Sequence, residues 1–260
     1  MIEIRSCEGM DEMQACVQLQ VETWGYDESD VIPRKAFLVA QKIGGQVLGA
    51  FDSEAAGLPC GLVGFAMSLP GVKTESGREP VPYLHSHMLA VRPEYRNRGW
   101  GAQLKLQQRR EALSRGFRLM EWTFDPLEIK NAYLNIHKLG AIARRYLENF
   151  YGVSSSRLQG GLPTDRLVAE WWLDSPRVNA ILDRDRNNLP VKETVEERIT
   201  VPSEIYAWKI CDQDRERARA VQTENRSRLQ DSFSRGLAVT GFICGQNGDG
   251  VFELGLPDLF

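Results

Sequence analysis

Two histidines two positions apart, His85 and His87, stand in the run YLHSHMLAV, and the loop RPEYRNRGWGAQL follows at once. Imidazole titrates near neutral pH, so a pair on one strand suggests proton transfer. The loop suggests anion binding. Gly99 and Gly101 let backbone amides approach a ligand, Arg96 and Arg98 add positive charge, and a helix start brings unpaired N–H groups and the positive end of its dipole. Leu104 stands where a dinucleotide fingerprint needs its third glycine, and no Gly-Lys-Ser/Thr is present. What remains is an amide nest that suits a pyrophosphate without a metal, although an ordinary loop-to-helix turn has the same spacing.

The elements that hold these residues follow from periodicity. A strand over IEIRSC, a helix ending at Gly25, a helix opening at Pro33, two strands over QVLGAFDS and GLVGFAMSLPG, and a polar loop over GVKTESGREPVP lead to the histidine strand. On that strand, period-two alternation places Tyr83, His85, His87, Leu89 and Val91 on one face. A helix then runs to Gly116 in the C′ position, followed by a strand over FRLMEWTFDP, a helix over LEIKNAYLNIHKLGA and strands over IARRYLENF and RLVAEWWL. The second half of each histidine's story stays open: a satisfied core or surface histidine fits the pattern as well as a base does.

In this setting VRPEYRNRGWGAQL resembles the first signature of the GNAT superfamily of N-acetyltransferases, V-x-P-x-x-[QR]-x-x-G-x-[GA] after an apolar strand. AYLNIHKLGA matches the second signature at Ala132 and Gly140. The element order from residue 1 to about 173 is similar as well. More narrowly, WTFDPLEIKNAYLNIHKLGA, ENFYG and GLPTDRLVAEWW look like a branch of acetyltransferases with a C-terminal extension.

The resemblance implies an α/β (α+β) fold with a mixed, mostly antiparallel central sheet flanked by helices, and acetyl-CoA as acyl donor. Backbone groups of Leu89, Ala90 and Val91 would hold the pantetheine arm, and Arg96, Asn97, Arg98, Gly99, Trp100, Gly101 and Ala102 the pyrophosphate. Asn131 would touch the cofactor arm. His85 takes the place of a glutamate that draws the proton from the amine in the histone-modifying branch, with His87 beside it. A bulged strand end near Leu89 and Ala90 would offer oxyanion donors. Ile136 occupies the position of the usual sulfur-protonating tyrosine, which leaves Tyr133, one turn earlier, or the adjacent Asn135 to stand in, or the thiolate to leave unassisted or with water. The turn WGYDESD, with Asp27, would attract a cationic acceptor, and Trp122 and Asp125 would line its cleft. Direct transfer is expected, because no cysteine lies in either signature.

Composition sets the wider limits. The chain has 260 residues, 42% of them hydrophobic, and a formal net charge of −3, so no basic field favours nucleic acid or an anionic membrane. Five scattered cysteines without a C-x-x-C pair point to a reducing, cytoplasmic setting, and no apolar run approaches a membrane span. A small-molecule or protein amine is the expected partner, with no metal. After Ser175 the composition becomes polar and charge-rich through PRVNAILDRDRNNLPVKETVEER, which reads as a linker. This divides the chain into a domain over 1–175 and a small α+β extension over 176–260, holding a strand in ITVPSEIYAWKI, a charge-dense helix over 212–235 with a stripe of Ala218, Val221, Leu229 and Phe233, and a hairpin around Asn247-Gly248. Two other roles stay open: an acyl-CoA-binding sensor without transfer, and an assembly protein, with the 212–235 helix as the interface of a homodimer.

Overall fold

Apolar runs bounded by glycine and proline become strands, and the amphipathic stretches between them become helices. The structure, a computed structural model, describes residues 1–74, 79–152, 154, 156, 159–183 and 194–257. The chain divides into two compact units, the first built from Met1–Glu121 and the second from the chain beginning at Trp122.

In the first unit, β1 (Ile2–Ser6), β2 (Gln46–Asp52), β3 (Leu62–Lys73) and β4 (Val81–Val91) pair antiparallel in that order, and β5 (Leu119–Phe124) begins parallel to β4. Helix α1 (Gly9–Trp24) ends at Gly25 in the left-handed conformation, and α2 (Arg34–Lys42) takes Pro33 as its N-cap rather than inside its first turn. Met13, Cys16 and Leu19 of α1 and Phe37 and Ala40 of α2 form one core with Val47, Phe65 and Met67. Helix α3 (Trp100–Ser114) builds the other core, in which Leu104 meets Leu48, Ala50 and Val63. The polar stretch 71–82 is shorter as a loop than its composition suggests. β3 continues to Lys73 opposite Val81, because Val72, though exposed, and the half-buried Lys73 extend the ladder, while residues 75–78 lie outside the described residues.

The alternation on β4 does not run through. Ser68 pairs with Ser86 and Met67 with Met88, so His87 is an extra residue on β4. A bulge of this kind inverts the facing of everything beyond it. Leu69, register partner of His85, packs with the α1 and α2 core, whereas Leu89 and Val91 pack with Leu104 of α3. The five residues expected on one face are therefore split: His85 looks to one side of the sheet, Leu89 and Val91 to the other. The bulge also lies before Leu89 and Ala90 rather than at them.

In the second unit, the strand order is β7 (Arg166–Trp172), β6 (Ile142–Leu147), β9 (Ala238–Cys244), β10 (Gly250–Gly255) and β8 (Glu197–Val201), each neighbour antiparallel. Helix α4 (Ile129–Ala132) passes directly into a π-helical turn, Tyr133–Lys138. The segment expected as a linker opens with a helix, α5 (Pro176–Leu182), capped by Ser175 and burying Val178; residues 184–193 lie outside the described residues. The segment ITVPSEIYAWKI holds β8 and then a short helix, α6 (Ile205–Ile210). Helix α7 (Arg215–Ser234) buries Ala218 and Leu229 of the expected stripe, but Val221 and Phe233 only in part. Its remaining buried positions are polar. Gln222 donates to Pro163 O at 2.9 Å, Asn225 to Thr200 O at 3.0 Å and Ser232 to Glu197 at 2.7 Å, so side chains that look solvated in sequence find partners inside, although Gln222 Oε1 has no hydrogen-bond partner among the described residues.

Candidate active site

β4 finds β5 only twice, at Leu84–Met120 and His85–Glu121; beyond His85 its register partners among the described residues are those of β3. The edge of β4 that faces away from β3 thus ends its pairing where the bulge begins. After Val91 the chain is pinned by Arg92, whose main-chain N–H donates to Val63 O and whose Nε donates to Leu62 O at 2.8 Å. The Arg92 side chain also pairs with Glu22, and Tyr95 ties the next turn to Asp52 at 3.1 Å. Held from behind in this way, the loop exposes Arg96, Asn97, Arg98 and Gly99, with Trp100 half-buried at the start of α3.

Asn97 (φ 60°) and Gly99 (φ 86°) are both left-handed, and such residues turn successive amides toward one concave side. The first α3 amide taken within the helix is that of Gln103, by Gly99 O at 3.0 Å, so the amides of Trp100, Gly101 and Ala102 point out of the helix start. Gly99 has open space around it, so its left-handed backbone, not crowding, calls for glycine. Gly101 differs. A Cβ there would come no nearer than 3.8 Å to Leu89 Cδ2, so packing within the protein leaves the space above it open. That space is what a diphosphate approaching the amides needs. Arg96 Nε donates to Val91 O at 2.9 Å, so two of the expected ligand contacts bond each other.

The histidine rings lie 6.0 Å apart on the half-buried face of β4. Burial holds His87 below its ordinary range, and burial together with the neighbouring His87 lowers His85 to about 4. Glu121 works in the opposite direction on His85, but is itself buried and accepts from Lys73 Nζ at 2.8 Å. The expectation of an imidazole near 6.5 is corrected by this desolvation: His85 is neutral at pH 7, ready to accept a hydrogen bond and reluctant to keep a proton.

Residues 13–134 match the model of the acetyltransferase (GNAT) family. Over that stretch the chain is similar to a GNAT-family domain. Solved structures agree in fold. Arabidopsis thaliana NAA60 with acetyl-CoA is 15% identical with a TM-score of 0.55, covering 67% of this chain and 100% of its own. The same enzyme with a bisubstrate analogue is 17% identical, at 0.50 over 66% and 98%. Salmonella typhimurium yncA with its cofactor acetyl-CoA is 16% identical, at 0.50 over 67% and 95%. No curated protein matches the sequence.

The remaining residues singled out in the sequence have varied surroundings. Asp27 is exposed in a turn that donates from Asp30 N to its carbonyl at 3.0 Å. In the second unit, Asn131 is exposed, while Trp122 is buried edge-on against Trp171 at 5.9 Å and belongs to the core. Asp125 is also buried: it accepts from Lys209 Nζ at 3.0 Å and from Leu127 N at 2.8 Å, so its carboxylate is committed to structure. Tyr133 does not share the face of Ile136. The π turn spaces residues differently from an α-helix, stacking Tyr133 on His137 at 4.5 Å while Ile136 is 1% exposed. Lys73, Lys105 and Glu121 of the first unit were not legible as neighbours of the histidine strand. Lys105 and Gln108, three apart on α3, were the one available signal.

Among the described residues no helix is long and apolar enough to cross a membrane, and no group of three or more His, Cys, Asp or Glu is gathered as for a metal.

Proposed function

We propose that the chain transfers an acetyl group from acetyl-CoA directly to a primary amine of a small molecule or protein, in the cytoplasm. The loop that would hold the cofactor lies in the first compact unit, and the segment after Ser175 belongs to the second. The observation that carries this reading is the left-handed turn at Asn97 and Gly99 feeding amides into unfilled space over Gly101, beside a strand edge that β5 has left. Structural relatives solved with acetyl-CoA support the donor.

Acetyl-CoA when bound supplies an activated thioester and a thiolate leaving group. The protein's own part is to bind and orient. The amides of Trp100, Gly101 and Ala102 and the guanidinium of Arg96 hold the diphosphate, and Leu89, Ala90 and Val91 present main-chain groups along the edge of β4. An amine with a pKa of about 10 arrives protonated, and the acidic turn at Asp27 draws it in. His85, kept neutral by burial, accepts a hydrogen bond from the amine once its proton has been lost toward solvent. Its low basicity makes it an orienting acceptor more than a proton store.

A second reading, an acyl-CoA sensor or assembly protein without turnover, is favoured by the buried Ile136 where a proton donor is usual. Titrating acetyl-CoA against the wild type and against Arg96→Ala with Gly101→Val tests the site. Binding in the micromolar range that the double change abolishes is expected; equal binding removes the assignment. Steady CoA release with a panel of primary amines marks transfer, and tight binding without release marks sensing. A change confined to sedimentation on deleting the extension marks assembly through α7.

A further inference from the structure

We propose that Lys105, Ser86 and Gln108 form a buried positioning bridge that sets the cofactor cradle at the head of α3 in register with the bulge at His87. The inference rests on the acetyl-CoA reading above and concerns residues outside the cradle and the histidine pair.

The geometry is specific. Ser86 and Ser68 are the register pair next to the surplus residue on β4. Both hydroxyls are tied down: Ser86 Oγ accepts from Lys105 Nζ at 2.7 Å and bonds Gln108 Oε1 at 3.1 Å, and Ser68 Oγ donates to Gln46 Oε1 at 3.0 Å. Gln46 Nε2 closes the set by donating to the main-chain O of Gln108 at 3.0 Å. Every member is at most 4% exposed. The bonds therefore join about one turn of α3 to the strand at its bulge, within an otherwise apolar layer.

A lysine in such a place is costly. Burial holds its ammonium well below the ordinary lysine range, and a methionine would fill much the same volume without desolvation. Stability alone does not account for its presence. Directional bonds do what apolar packing cannot, which is to resist sliding of a helix along a strand. Lys105 stands five residues after Trp100, about 7.5 Å of helix rise. Through a stiff helix the bridge thus fixes how far the amides at Trp100–Ala102 lie from His87. A misplacement of about 1 Å between reacting groups can lower a rate on the order of 100-fold, so this register bears on whether the acyl group reaches the histidines.

The test uses full-length protein labelled at its three histidines, with acetyl-CoA and CoA as probes. In the wild type, acetyl-CoA is expected to move the His87 imidazole resonance and CoA to move it much less. In Lys105→Met and in the milder Ser86→Ala, affinity for acetyl-CoA should stay within about threefold of wild type. The melting temperature should be no lower in Lys105→Met, and the acetyl-dependent His87 shift should fall by at least half in both. An undiminished His87 shift in both variants overturns the bridge and leaves the cradle standing. Affinity and melting temperature lost together in both variants also overturn it, as a purely structural role. Absence of acetyl-CoA binding to the wild type removes the cradle itself, and this inference with it.

Discussion

Gly99 and Gly101 stand two residues apart and answer to different forces. At Gly99 the backbone is left-handed with open space around it, so Gly99→Ala should cost about 1 kcal/mol of stability through strain alone, measured as a shift in urea midpoint. At Gly101 no strain applies and a Cβ meets ordinary contact only, so Gly101→Ala should leave the midpoint unchanged and weaken acetyl-CoA binding. The opposite result, loss of stability with intact binding, would count against the cradle. His85 makes a prediction of the same grain. The folded chain keeps it neutral down to about pH 4, whereas an unfolded histidine takes up a proton near 6.5, so the unfolded state binds more protons between those values. Stability should be flat above pH 6.5 and fall by on the order of 3 kcal/mol as pH drops to 4, which urea titrations of wild type and His85→Asn would reveal as a slope the variant reduces. A wild type with no such slope would show the imidazole to be solvated.

At the scale of elements, the bulge in β4 is the feature that residue patterns did not disclose. Alternating burial continues through His87, so the sequence looks regular there, yet the register against β3 slips by one and the facing of Leu89 and Val91 inverts. Strand facing is a pairing property, and pairing partners are far apart in the chain. Helix α7 teaches the same lesson in reverse. Its Gln222, Asn225 and Ser232 are polar by type and buried by context, because carbonyls at Pro163 and Thr200 and the carboxylate of Glu197 receive them. Lys209 of α6 carries the sharpest prediction at this scale. It is 3% exposed and reaches Asp125 at 3.0 Å and Glu128 at 2.9 Å; burial opposes its charge, but the two carboxylates raise its pKa above the ordinary lysine value. Removing one partner of a buried pair leaves the other uncompensated, so Lys209→Ala should destabilise the protein by about 3–5 kcal/mol, read from chemical denaturation. A loss below about 1 kcal/mol would mean that water already reaches Asp125.

For the whole molecule, the change of composition after Ser175 and the division into compact units fall at different places. The C-terminal segment is built into the second unit. Val239 of β9 pairs with Ala143 of β6, Arg226 of α7 reaches the fully buried Asp165 at 2.9 Å, and Arg177 of α5 donates to Gly140 O at 3.1 Å. Truncation after Ser175 strips these partners from Ala143, Asp165, Gly140 and Asp125 at once. The shortened chain should lose its cooperative melting transition and bind a hydrophobic dye, which calorimetry and dye fluorescence would detect. A sharp transition retained by residues 1–175 would show that the extension is dispensable for folding.

By itself the sequence determined the order and kind of most elements, the loop proposed to bind an anion and the family likeness, since periodicity, turn glycines and a short contiguous motif are all local. Only the tertiary structure decided the facing of β4 beyond His87, the low basicity of His85, the structural commitment of Trp122 and Asp125, and the burial of Lys105. Each of these depends on desolvation or on register with a strand or helix distant in the chain, and neither is written in the residues that undergo it.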